Sequence, residues 1–119
     1  MRILLDTHIY LWWLQDSPRL SPKAREMIQT ATEVYVSSAS LWECSIKIGL
    51  GKLQADIAEL VAQIEASGFV ELPVYARHSV ALIRLPEHHR DPFDRLLIAQ
   101  AISEPLRLLT ADQQLGRYS

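Results

Sequence analysis

With 119 residues, 49% of them hydrophobic and 22% charged, the chain is long enough to bury a core and too apolar to stay disordered. Its formal net charge of −2 gives no overall attraction to nucleic acid or to an anionic membrane, so either kind of binding needs a local patch. The one cysteine, Cys44, excludes an internal disulfide and a cysteine-built zinc site, and no apolar run approaches the roughly 20 residues of a membrane span. No basic segment leading into an apolar run marks a secretory signal, so a single domain over 1–119, cytoplasmic and without a membrane partner, is expected.

Strand and helix signals alternate along the chain. "RILLD" (2–6) is a strand-length apolar run, and Asp6 then precedes the apolar helix signal "THIYLWWL". Ser21 before Pro22 has the form of an N-cap with proline at the first helical position, predicting a helix over about 22–31. "VYVSS" (34–38) is the second strand. Ser40 with Glu43 three residues on has capping-box form and opens a helix that stops near Gly49 or Gly51; Asp56 with Glu59 repeats the form before a helix that Gly68 ends. "FVELP" (69–73) is a third strand, 75–84 a further helix, and "DPFDRLLIAQAI" a strong one with Asp91 as cap and Pro92 at the first position; "RLLT" (107–110) is the fourth strand. The alternation predicts an α/β fold with a mainly parallel sheet covered on both faces.

In such a sheet, ligands bind beyond the carboxyl ends of the strands. Asp6 ends the first strand and Asp112 follows the last, so two acids nearly a chain length apart are expected at one edge. On the helix after Asp91, Asp94 shares a stripe with Leu97, Ile98 and Ala101, at spacings of three, four and seven, and so points where core residues point. Glu43 lies on the flank of an apolar face beside Trp42 and Ile46. Each acid also has a local explanation: Asp6 and Asp112 as caps, Glu43 as capping-box partner of Ser40 or ion-pair partner of Lys47, and Asp91 as an N-cap. Asp94 alone leans towards chemistry by itself. Convergence shifts the balance, because grouped carboxylates repel unless a cation neutralises them, and an oxygen-only set without cysteine or paired histidines favours magnesium or manganese over zinc. The histidines, His8, His78, His88 and His89, are read as surface or supporting groups.

Taken together, "LLDTH", "SSASLWECSIKIGLGKL", "HRDPFDRLLIAQA" and "LLTADQQLGRY", in that order over nearly the whole chain, resemble PIN-domain proteins, specifically VapC-type toxins of toxin–antitoxin pairs. The resemblance implies a three-layer α/β/α fold around a mainly parallel sheet of four or five short strands, and an acidic cluster that binds divalent metal to hydrolyse RNA phosphodiesters. It places that cluster on Asp6, Glu43, Asp94 and Asp112, leaves Asp91 as a cap and auxiliary ligand at most, and implies a small antitoxin partner and a homodimer. The sequence departs from the family at Leu115, where an aromatic residue is usual, and at Ser119, where a further strand usually follows. Thr7 and Thr110 adjoin the proposed ligands and are candidates for supporting hydrogen bonds, while Arg90 and Arg95 flank the acidic motif and are candidates for phosphate contacts. Two other readings are a PIN-like module that binds RNA or protein without cutting, and a metal-dependent phosphohydrolase acting on DNA or small phosphate esters. Four clustered acids argue against the first, and the lack of an Asp-x-Asp pair or a Gly-rich phosphate loop argues against the second. Trp12 and Trp13, with Leu11 and Leu14, make the first helix apolar enough to pack on the core and on a partner.

Overall fold

The computed structural model describes residues 1–86 and 91–111, so Arg90, His88, His89, Asp112 and Leu115 lie outside the described residues. The four expected strands form within a residue or two of their sequence limits: β1 (Arg2–Leu5), β2 (Glu33–Ser37), β3 (Val70–Leu72) and β4 (Arg107–Leu109). They make one sheet in the order β3-β2-β1-β4, every neighbouring pair parallel. The expected three-layer α/β architecture is what is observed. β1 is central, and Leu4 stands between Tyr35 on one side and Leu108 on the other. Because β1 is paired on both edges and covered on both faces, Ile3, Leu4 and Leu5 are all fully buried, which explains an unbroken apolar run where a half-exposed strand would alternate.

Alternate residues of β1 serve different layers. Ile3 and Leu5 join Val34, Val36, Ile9, Tyr10, Ile28, Leu60 and Ile64 beneath α1 (Thr7–Gln15), α2 (Pro22–Thr30) and α4 (Ile57–Ala66). Leu4 joins Leu72, Leu97 and Ala101 on the other face, beneath α6 (Pro92–Ser103). α5 (Ala76–Ile83) packs on α6 through Ala81, Leu82, Leu85, Ile98 and Ala99. Trp12 and Trp13 are half-buried against the first cluster, Trp13 lying 5.7 Å from Phe69 between ring centroids. No helix among the described residues is long and apolar enough to cross a membrane.

The caps show where local signals decide an element and where they do not. Ser21 accepts from the Ala24 N–H at 3.1 Å, and Asp91 accepts from the Phe93 and Asp94 N–H groups at 2.9 and 3.1 Å, as their sequence contexts predict. Asp56 caps α4, but Glu59 does not close a box; its carboxylate takes the Gln63 amide at 2.8 Å instead. The Ser40–Glu43 box is not formed. α3 (Ser38–Gly49) is capped three residues earlier, by Ser37 accepting from the Ala39 N–H at 3.0 Å, which puts Ser40 and Glu43 inside the helix.

The histidine expectation also needs correcting at His78, which is fully buried. Its Nδ1 accepts the Tyr75 N–H at 2.9 Å, which fixes the ring proton on Nε2, 2.7 Å from Glu104 Oε2. Arg77 reaches the same carboxylate oxygen at 2.8 Å, so α5 and the end of α6 are joined by a charged cluster as well as by apolar packing.

Candidate active site

The strand order places a topological switch point at β1: its successor β2 lies on one side and β4 on the other. Ligand crevices of open parallel sheets form at that point, beyond the carboxyl ends. Asp6 occupies it. The backbone leaves β1 with the Asp6 N–H still donating to Leu109 O at 3.0 Å, then turns directly into α1. Asp6 Oδ1 accepts from the Ile9 N–H at 2.8 Å, capping α1, while Oδ2 accepts from Thr110 Oγ1 at 2.6 Å and the Ala111 N–H at 3.2 Å. The carboxylate is only 4% exposed. The cap and the site readings of Asp6 are therefore compatible: three of about four acceptor positions are used, leaving one on Oδ1.

The next residue carries the network to α3. Thr7 Oγ1 lies 2.8 Å from Glu43 Oε1 and 3.0 Å from Ser40 Oγ, all three buried. A hydroxyl has one proton and a carboxylate accepts, so the Thr7 proton goes to Glu43 and the Ser40 contact runs with Ser40 donating. Glu43 Oε2 pairs with Lys47 Nζ at 2.9 Å, one helical turn on. That carboxylate, with help from Asp91, holds the Lys47 ammonium above the usual lysine range. The entry of α6 stands beside α3.

A ring contact makes the same junction. Phe93 and Trp42 meet edge to face at 5.3 Å, and their sequence neighbours are Asp94 and Glu43. Asp94 is half-buried in the first turn of α6, where the helix dipole favours a negative charge, and Leu97, Ile98 and Ala101 of its stripe are buried as the spacing predicts. Arg95 is turned elsewhere: its guanidinium donates to Pro86 O at 3.1 Å and to Leu82 O at 3.5 Å, at the end of α5.

The structure thus joins Asp6 to Thr110, Thr7 to Glu43, and α3 to the turn that carries Asp91 and Asp94. Among the described residues no three His, Cys, Asp or Glu side chains gather closely enough to hold a metal ion by themselves. The donors nonetheless suit a hard cation: they are oxygen only, and Asp6 and Glu43 keep unused acceptor positions. Sequence reasoning named the Glu43–Lys47 ion pair, which forms, and missed Ser40 as part of this network. Lys47 was legible as an i,i+4 partner of Glu43, whereas Ser40 was read as a cap because three of the four residues from Ser37 to Ser40 are serines.

A three-layer fold with an all-parallel sheet and buried acids at its switch point defines a class of α/β proteins. The chain belongs to the PIN-domain family, whose profile matches residues 3–119. It is 32% identical to Ribonuclease VapC22 of Mycobacterium tuberculosis over 122 residues, covering 98% of this chain and 91% of that protein. Its fold is similar to that of VapBC2 from Rickettsia felis, crystallised with a DNA fragment from its promoter, at a TM-score of 0.71 and 18% identity, covering 99% of this chain and 93% of that one. It is also similar to FitAcB from Neisseria gonorrhoeae, at a TM-score of 0.67 and 18% identity, covering 98% and 91%.

Proposed function

We propose that this protein is a divalent-metal-dependent endoribonuclease of the cytoplasm, the toxin of a toxin–antitoxin pair, formed of one domain. The observation that carries the reading is the buried Asp6 at the end of the central strand, followed by the Thr7 that holds buried Glu43, on a chain related to a ribonuclease. Asp6, Glu43, Asp94 and Asp112 would hold magnesium, with manganese as a substitute, and Asp91 would act as a cap with an auxiliary role. When bound, the ion supplies Lewis acidity for the phosphoryl group and an ionised water at neutral pH. The residues of the chain do the rest. Thr7 and Thr110 keep Glu43 and Asp6 in place by donating to one oxygen of each, while the other oxygen, held by Lys47 in Glu43 and by the Ile9 N–H in Asp6, has acceptor capacity left for the ion. Lys47 beside Glu43 provides positive charge for a phosphate oxygen, in addition to Arg90 and Arg95, the phosphate contacts proposed from the sequence.

Partners follow from the same reading: RNA as substrate, a small antitoxin, and a second copy of the chain. Support for the dimer comes from α3 rather than α1, because Trp42, Ile46 and Leu50 form an exposed apolar stripe at spacings of four. Light scattering reads the dimer, and a strict monomer at high concentration counts against it. The test of the activity is cleavage of single-stranded RNA by the purified chain with magnesium, with and without EDTA, beside Asp94→Asn as the control for contaminating nuclease. Cleavage that survives thorough metal removal overturns the metal-dependent reading.

A further inference from the structure

A cleft opens from the acidic centre along the other side of α1. It encloses about 230 Å³, and its walls include Thr7, His8, Trp12, Arg19, Lys47 and Lys52. Thr7 and Lys47 are the two residues that hold Glu43, so the cleft and the candidate site share a wall. We infer that this cleft is the track that takes one nucleotide of a single RNA strand next to the scissile bond, with Arg19 and Lys52 on its phosphates and the His8–Trp12 pair against its base. The inference rests on the ribonuclease reading and adds the subsite to it.

Charge is the first argument. Among the described residues no carboxylate lines the cleft and Arg19 and Lys52 make no ion pair, in a chain whose net charge is −2. Such a local reversal is what phosphate binding requires of an acidic protein. Shape is the second. The volume falls below the roughly 300 Å³ at which enclosed small-molecule pockets begin, which suits one unit of a polymer that runs on beyond the cleft rather than a whole enclosed ligand. The wall is the third. His8 stacks on Trp12 with ring centroids 5.9 Å apart and planes 30° apart, an aromatic surface beside a row of cations. Aromatic faces flanked by cations are the usual means of holding an unpaired strand without reading its sequence.

The experiment uses the full-length chain and a fluorescein-labelled single-stranded RNA of mixed sequence. Binding is followed by anisotropy across a potassium chloride series in the Asp94→Asn background, and cleavage is followed in the otherwise unaltered chain with magnesium. All three test residues, His8, Arg19 and Lys52, are exposed, so their replacement spares the core. The Arg19→Ala/Lys52→Ala pair is expected to flatten the salt slope by about 1.4, at about 0.7 for each phosphate no longer neutralised, and to raise KM while kcat stays unchanged. His8→Ala at pH 8 is expected to weaken binding about fivefold or more at unchanged slope, as removal of a stacking surface does. A chain that cleaves RNA with KM and slope unmoved by the replacement of Arg19 and Lys52 overturns the track and leaves the ribonuclease reading standing. A chain that binds RNA with the expected slope change but never cuts it overturns the ribonuclease reading and keeps the cleft only as a seat for a single RNA strand, without a scissile bond beside it. Should the double variant lose affinity for a polyglutamate peptide while its RNA parameters stay put, the cleft is a seat for an acidic protein segment and the track is overturned.

Discussion

Thr7 Oγ1 stands 2.8 Å from Glu43 Oε1, so the residue that starts α1 fixes a carboxylate in the middle of α3. Both groups are buried, so neither can exchange this bond for water without cost. Thr7→Val keeps the shape and removes the donor. It is expected to cost about 1–3 kcal/mol in urea denaturation, the penalty of leaving a buried acceptor unpaired, and to lower cleavage per folded molecule. Thr7→Ser restores the hydroxyl and should recover most of both. Equal loss in the two variants would show that the methyl group, not the bond, is what matters.

The two aspartates of "DPFD" separate stability from chemistry. Asp91 accepts two N–H groups at the start of α6, so Asp91→Ala is expected to lose about 0.5–2 kcal/mol while most activity per folded molecule remains. Asp94→Asn is expected to abolish metal-dependent cleavage with the fold intact. Thermal melting and cleavage rate at matched magnesium, measured on both variants, decide the matter; silence from Asp91→Ala at an unchanged melting temperature, with Asp94→Asn still active, would reverse the assignments.

Glu104 supplies an acid-sensitive element far from the site. The hydrogen bond from His78, with the Arg77 guanidinium, lowers its pKa below the ordinary 4.5. A depressed carboxylate stabilises the fold above its unfolded pKa, and that contribution is lost as pH falls through the folded value. Wild type should therefore exceed Glu104→Gln in stability at neutral pH, with the gap closing only below about pH 4.5. Urea midpoints for both proteins from pH 7 to pH 3 test this; a gap independent of pH would assign the effect to packing.

Tyr10 is fully buried and donates to Leu60 O at 2.7 Å, tying α1 to α4, and burial raises its hydroxyl pKa to about 12. Tyr10→Phe removes only the hydroxyl. It should cost about 1 kcal/mol by denaturant titration and leave cleavage unchanged, since the bond lies on the core side of α1.

What could be read from the sequence was what short-range physics decides. Asp91 before Pro92 names its own role within four residues, and the stripe from Asp94 to Ala101 is a property of helical spacing alone. The four strands were legible because a parallel sheet buries both faces and leaves continuous apolar runs. The start of α3 was not, because Ser37, Ser38 and Ser40 can all cap, and the choice falls where β2 ends its pairing, Ser37 standing opposite Leu72. His78 was read as a surface or supporting group rather than a core residue because the group that makes its burial tolerable, Glu104, lies 26 residues away. The expected second face of α1 became the wall of a cleft, and the exposed apolar stripe emerged on α3, where periodicity could not separate a buried stripe from a bare one.

The bond from Thr110 to Asp6 spans 104 residues of sequence and that from Ala111 spans 105. β1 is made before its neighbours and can pair with β2 early, but its outer edge and the oxygens of Asp6 wait for β4, the last of the four strands in chain order. On the ribonuclease reading, the centre that would attack RNA is thus completed only once β4 has been made, and a chain stopped short of β4 leaves Asp6 without its bonds from Thr110 and Ala111. The same closure of β1 on β4 that builds the site also delays it until all four strands have been made.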